Sequence, residues 1–95
     1  MPSLPREVAA YKRTPTFDRD TVPAGLLEAH STKAGVWGRI VVLSGRLEYV
    51  LTEGGERFEL GPDQPGIIEP QAEHRVRPLG AVSFYVEFLR SSGDT

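Results

Sequence analysis

The 95-residue chain contains no cysteine. That removes disulfide scaffolds, thiolate metal sites and cysteine nucleophiles together. Histidine is scarce, with two copies, and tryptophan and methionine occur once each. Neither sign of charge dominates: 11 Lys+Arg stand against 13 Asp+Glu, for a net charge of −2. A basic protein with generic affinity for nucleic-acid phosphates is therefore excluded. Long hydrophobic runs are missing too. The longest aliphatic run is Ile40–Val41–Val42–Leu43, far below the ~20 residues that span a bilayer. The opening Met1–Pro2–Ser3–Leu4–Pro5–Arg6 lacks the charged-then-apolar layout of a signal peptide. The expectation is one soluble, cytoplasmic domain with no nucleic-acid and no membrane partner. No Gly-x-Ser-x-Gly elbow surrounds Ser31, Ser44 or Ser83, and Gly54–Gly55 is not followed by the Lys-Ser/Thr of a phosphate loop.

What the chain does have is punctuation. Its 10 Gly and 8 Pro are spread along the length, the pattern of many short strands and turns. Pro2, Pro5, Pro15 and Pro23 make residues 1–23 an extended arm rather than a helix. Strands are expected over 26–32, 36–43, 46–52, 56–60, 67–69, 74–78 and 81–90, with turns at Ser44–Gly45, Gly54–Gly55 and Leu79–Gly80. Leu47, Tyr49 and Leu51 alternate against Arg46, Glu48 and Thr52, which puts the apolar set on the inner face. Residues 91–95 read as a flexible tail. The fold class that follows is all-β, a small sandwich or barrel of antiparallel strands. The last strand carries large apolar groups on both faces, Val82, Phe84, Val86 and Phe88 against Tyr85 and Leu89. Such a strand is covered on both sides or meets a second subunit, so a homodimer is expected.

Chemistry concentrates around His30 and His74. On a strand, Glu28 and His30 share one face, because side chains repeat every second residue. An imidazole and a carboxylate side by side suit a divalent transition metal. His74 follows Pro70 and stands at a strand start. Glu87 lies between Val86 and Phe88, and a carboxylate in so apolar a strand needs a partner, a metal or the outer face. Arg75 and Arg77 could form a small anion spot or simply a solvated edge, and Trp37 between Gly35 and Gly38 suits packing or a dimer contact.

Four blocks then resemble one family in order: Ala10–Tyr11–Lys12–Arg13–Thr14–Pro15, Val22–Pro23–Ala24–Gly25–Leu26, His30–Ser31–Thr32–Lys33–Ala34–Gly35–Val36–Trp37–Gly38 and Phe84–Tyr85–Val86–Glu87–Phe88. Together they resemble the TehB/YeaR-like domain family, across roughly residues 5–90. In that family the domain stands alone or precedes an S-adenosylmethionine-dependent methyltransferase in tellurite-resistance proteins. This chain has no room for the methyltransferase, so that activity is not carried over. The resemblance implies a cupin-like double-stranded β-helix, a small jelly-roll barrel, frequently dimeric, with a divalent metal at its mouth. Glu28–Ala29–His30 stands where such a motif has His-x-His, and Pro70 with His74 matches the second motif. The motif's usual glutamate is missing near Gly38–Arg39, and Glu87 is its substitute. The implied ligand set is therefore His30, His74, Glu87 and Glu28, with zinc first and iron, nickel or manganese next. Glu69 is expected to orient an imidazole. If Glu87 faces the metal, Tyr85 and Leu89 face inward too, and a second subunit or the N-terminal arm must cover Phe84, Val86 and Phe88. Three functions remain open at this point: a metal-binding domain for a small anion or metabolite, a small metalloenzyme, and a metal-free dimerisation module.

Overall fold

The computed structural model describes residues 1–91, and the expected tail lies, after Ser91, outside the described residues. The chain is almost entirely antiparallel strand. In order it runs β1 (Val8–Arg13), β2 (Phe17–Asp18), a short helix α1 (Ala24–Leu27), β3 (Trp37–Leu51), β4 (Glu56–Leu60), β5 (Gly66–Ile68) and β6 (His74–Ser91). The sheet order is β1-β6-β3-β4, with β2 also on β6 and β5 also on β3. The sheet bends on itself into a barrel-like form and does not close. All-β organisation is thus what the alternation predicted.

Two long strands replace four expected short ones. Ser44–Gly45 and Leu79–Gly80, read as turns, lie inside β3 and β6. They are bends that face each other across one ladder: Gly45 pairs with Val82 and Leu47 with Pro78, with register shifts on either side of Gly45. Each bend has a glycine in the left-handed region, Gly45 at φ 80° and Gly80 at φ 116°. A bulge bends its strand and increases its twist, which lets two strands form both walls of a small barrel. At Gly45 a side chain would also collide with the Ala81 carbonyl. Gly54 and Gly55, both with positive φ, close the β3–β4 hairpin as predicted.

The core follows the strand period. Ile40, Val42, Leu47 and Tyr49 of β3 meet Val76, Val82, Phe84 and Val86 of β6 and Leu60 and Ile68 from β4 and β5. Phe84 is fully buried, and Phe17 of β2 meets it edge-on at 5.8 Å between ring centres. The N-terminal arm runs along β6: Thr14 donates its N–H to the Val86 carbonyl and accepts the Val86 N–H at its side chain. One expectation fails here. The segment from Leu26 to Thr32 is not a strand, because Pro23 starts the short helix α1, whose Leu26 N–H donates to the Pro23 carbonyl. Extended backbone resumes at His30.

Gly45→Ala combines a forbidden φ with a backbone collision, so it should destabilise the domain by at least ~1–3 kcal/mol. Gly55→Ala meets open space and should cost no more than ~1–2 kcal/mol. Denaturant titration of both variants checks the order; equal losses would contradict the role given to the β3 bend.

Candidate functional site

His30 and His74 come together, and backbone pairing is the cause. The two residues form an isolated antiparallel bridge in which each donates its N–H to the other's carbonyl, at 2.9 and 2.8 Å. Residues that exchange both hydrogen bonds stand directly opposite, with side chains on one face of the sheet. The ring centres are accordingly 4.1 Å apart, tilted by 58°. On its other side His74 pairs with Leu51 of β3, so it is the seam between the helix–strand connection and the main ladder.

The turn before His74 is built from Glu69–Pro70–Gln71–Ala72. Ala72 N–H donates to the Glu69 carbonyl at 3.1 Å, Pro70 holds the second position, and Gln71 adopts φ 63° at the third. This is the pattern of a type II turn, in which proline presets the entry and the third residue needs positive φ. Gln71 N–H is held in turn by the Thr32 hydroxyl, which itself donates to the Val36 carbonyl. Both loops that carry a histidine are therefore tied to each other.

Each imidazole is oriented by a main-chain carbonyl two residues upstream. His30 Nδ1 lies 2.9 Å from the Glu28 carbonyl, and His74 Nδ1 lies 2.8 Å from the Ala72 carbonyl. A carbonyl oxygen can only accept, so Nδ1 carries a proton in both rings, and Nε2 keeps the lone pair in the neutral form. His74 is 1% exposed. Burial lowers its pKa, the Ala72 hydrogen bond opposes that, and the neighbouring His30 lowers it further. Tyr49 stands edge-on to His74 at 5.7 Å and donates its hydroxyl to the Ile67 carbonyl. Burial, with a smaller push from the Glu69 charge, raises that phenol to about 12, so Tyr49 is a neutral support for the ring.

The two rings line a cavity of about 320 Å³ inside the barrel-like sheet. Its walls are Ile40, Ile68, Val76, Phe84 and Val86, and its remaining lining includes Leu26, Val36, Phe88, Ser31, Thr32, Tyr11, Lys12 and Lys33.

The carboxylates expected beside the histidines are elsewhere. Glu28 caps α1 and meets His30 through its main-chain carbonyl. Glu87 is on the opposite face of β6 from Phe84 and Val86, where Arg39, its partner across the ladder, donates from Nε and Nη2 to Oε1 at 2.8 and 2.6 Å. The placement of Glu87 toward the cavity is thus corrected: the apolar set Val82, Phe84 and Val86 takes the interior, and cross-strand pairing gives Glu87 to Arg39. Tyr85 goes outward with it, under the Arg13 guanidinium at 4.6 Å. Glu69 is exposed and orients neither ring; carbonyls do that work. Among the described residues no three His, Asp or Glu side chains gather as a metal cluster. The sequence reading missed Tyr49 as the support for His74, although its inward position in 47/49/51 was legible.

The lowered pKa of His74 fixes the sign of one pH effect. The unfolded chain takes up a proton near 6.5, before the folded chain does, so acid favours unfolding. Stability should be full above about 6.5 and fall as the pH drops from there toward the lower folded value. His74→Gln should flatten that part of the curve, as read by denaturant midpoints between pH 5 and 8.

The family described as TehB-like domain matches residues 12–86. Two curated relatives, both described as probable S-adenosyl-L-methionine-dependent methyltransferase TehB, come from Haemophilus influenzae strains Rd and 10810. They are 38% and 37% identical over 81 residues, or 80% of this chain. The chain spans only 28% of their length. The crystal structure of TehB from Haemophilus influenzae superposes with a TM-score of 0.82 at 34% identity, covering 90% of this chain and 32% of that one. A protein of Escherichia coli K12 superposes over 98% of this chain and 100% of its own, with a TM-score of 0.88 at 21% identity, and shares the fold. No helix among the described residues is long and apolar enough to cross a membrane. The chain belongs to the TehB-like domain family.

Proposed function

We propose that this domain is a small cupin-like metal-binding module, in which His30 and His74 hold a divalent transition metal at the polar end of the cavity. The observation that carries the reading is the pair of contacting imidazoles, each with Nδ1 donated to a carbonyl. Metal-ligating histidines are oriented in this way by a hydrogen bond from the other ring nitrogen. Burial keeps His74 neutral, the form that binds metal. Imidazole suits zinc, copper, iron and nickel, and zinc is the first choice. Two imidazoles supply part of zinc's usual set of four ligands. With no carboxylate cluster beside them among the described residues, the other positions would belong to water or to a small ligand. Bound there, the ion would supply a Lewis-acidic centre with open positions. The relatives' methyltransferase description concerns proteins of which this chain matches 28%. In our reading the domain handles the ligand or metal in a tellurite-resistance setting and does not transfer methyl groups.

The test is zinc content after equilibration with zinc sulfate and desalting, with the fold of each variant checked by circular dichroism. Wild type and Glu87→Gln should retain near-stoichiometric zinc. The double variant His30→Ala/His74→Ala should retain no zinc after desalting. Equal zinc in all three proteins would overturn the reading.

A further inference from the structure

The sequence holds two lysines, Lys12 and Lys33, against nine arginines. Both lysines line the cavity and are exposed to solvent, and no arginine, aspartate or glutamate lines it. The ion pairs among the described residues run the other way. Arg39, Arg46, Arg57 and Arg77 satisfy Glu87, Glu59, Asp63 and Glu48, and neither lysine has a carboxylate partner there. The charge lining the cavity is therefore positive only, in a chain whose net charge is −2.

Each lysine is delivered by a distinct device. Lys12 follows a register shift in the β1–β6 ladder between Ala10 and Lys12, and it pairs with Phe88, another cavity residue. A bulge of this kind re-aims a side chain and recurs beside binding sites. Lys33 sits in the loop after His30, which the Thr32 hydroxyl ties to the His74 turn. Much of the remaining lining is apolar: Ile40, Ile68, Val76, Phe84 and Val86. A volume of about 320 Å³ is at the small end of ligand pockets, which run to ~1,000 Å³. It suits one ring or a short chain.

We infer that the cavity selects a small monocarboxylate with an apolar body, its carboxylate set by Lys12 and Lys33 and its body against the apolar wall. The inference rests on reading the cavity as a ligand seat and names the ligand class. A bare inorganic oxyanion satisfies the lysines and leaves the wall wet. A neutral amide fills the wall and gains no charge-assisted hydrogen bond from the two exposed ammonium groups.

Calorimetric titration of chelator-treated, metal-free protein separates this from the metal reading. Benzoate, benzamide and sulfate are the probes. Benzoate should bind about threefold or more tightly than either of the others, the size expected of ion pairs with exposed lysines. Lys12→Gln/Lys33→Gln should remove the preference for benzoate over benzamide while zinc content stays as in wild type. His30→Ala/His74→Ala should lose zinc and keep the preference. Equal binding of benzoate and benzamide, a preference that survives loss of both lysines, or no saturable benzoate binding at millimolar concentration would each overturn the inference. Loss of zinc binding alone would not.

Discussion

The bent ladder between β3 and β6 is the constraint on which the rest of this domain depends. From Trp37–Leu89 at one end to Leu51–His74 at the other, the two strands pair along nearly their full lengths. The opposed bends at Gly45 and Gly80 turn that single ribbon into two walls. Everything else attaches to it: β4 and β5 on β3, β1 and β2 on β6. Because the ladder's inner positions are Ile40, Val42, Val76, Phe84 and Val86, the space between the walls is apolar before any functional group is added. His74 is the last inward residue at one end, and its burial follows from that register rather than from its chemistry.

A buried imidazole in such surroundings faces competing terms. Leaving water favours the neutral ring, and the Ala72 carbonyl favours the charged one; desolvation is the larger. The neighbouring His30 adds to desolvation, since two adjacent cations repel. The carbonyl contacts then do something different from stabilising charge. They place a proton on Nδ1 in both rings, which leaves Nε2 as the nitrogen that can accept or ligate when the ring is neutral. The same fold keeps carboxylates away from them by giving Glu87 to Arg39 and leaving Glu69 in solvent. The result is a site with nitrogen donors and lysine cations and no acidic side chain.

Much of this was legible from residues alone. The alternation around Tyr49 and Phe84 showed which positions repeat toward a core, and the Gly54–Gly55 hairpin and the Pro70 turn are where their turn chemistry places them. The approach of His30 to His74 was legible only as a pattern, since it depends on a bridge between residues 44 positions apart. Gly45 and Gly80 misled because a glycine that ends a strand and a glycine that bends one look the same in sequence. Leu26–Thr32 misled because a proline at 23 can open a helix as readily as it can limit one. Glu87 misled through the resemblance, which made it the substitute for a missing glutamate, whereas the strand period had left the outer face open to it. The partner that explains it, Arg39, is visible only in the register. The shared location of the two lysines is not written in the sequence pattern, because it depends on a bulge in β1 and a loop after His30.

The central claim is that two imidazoles stand together, each with Nδ1 donated to a main-chain carbonyl and Nε2 open. Long-range proton–nitrogen correlation spectra of the histidine side chains at pH 8, recorded before and after addition of zinc, test it most directly. The account predicts the Nδ1–H pattern for both rings, with both Nε2 resonances shifting on zinc addition. An Nε2–H pattern in either ring, or Nε2 resonances indifferent to zinc, would contradict it.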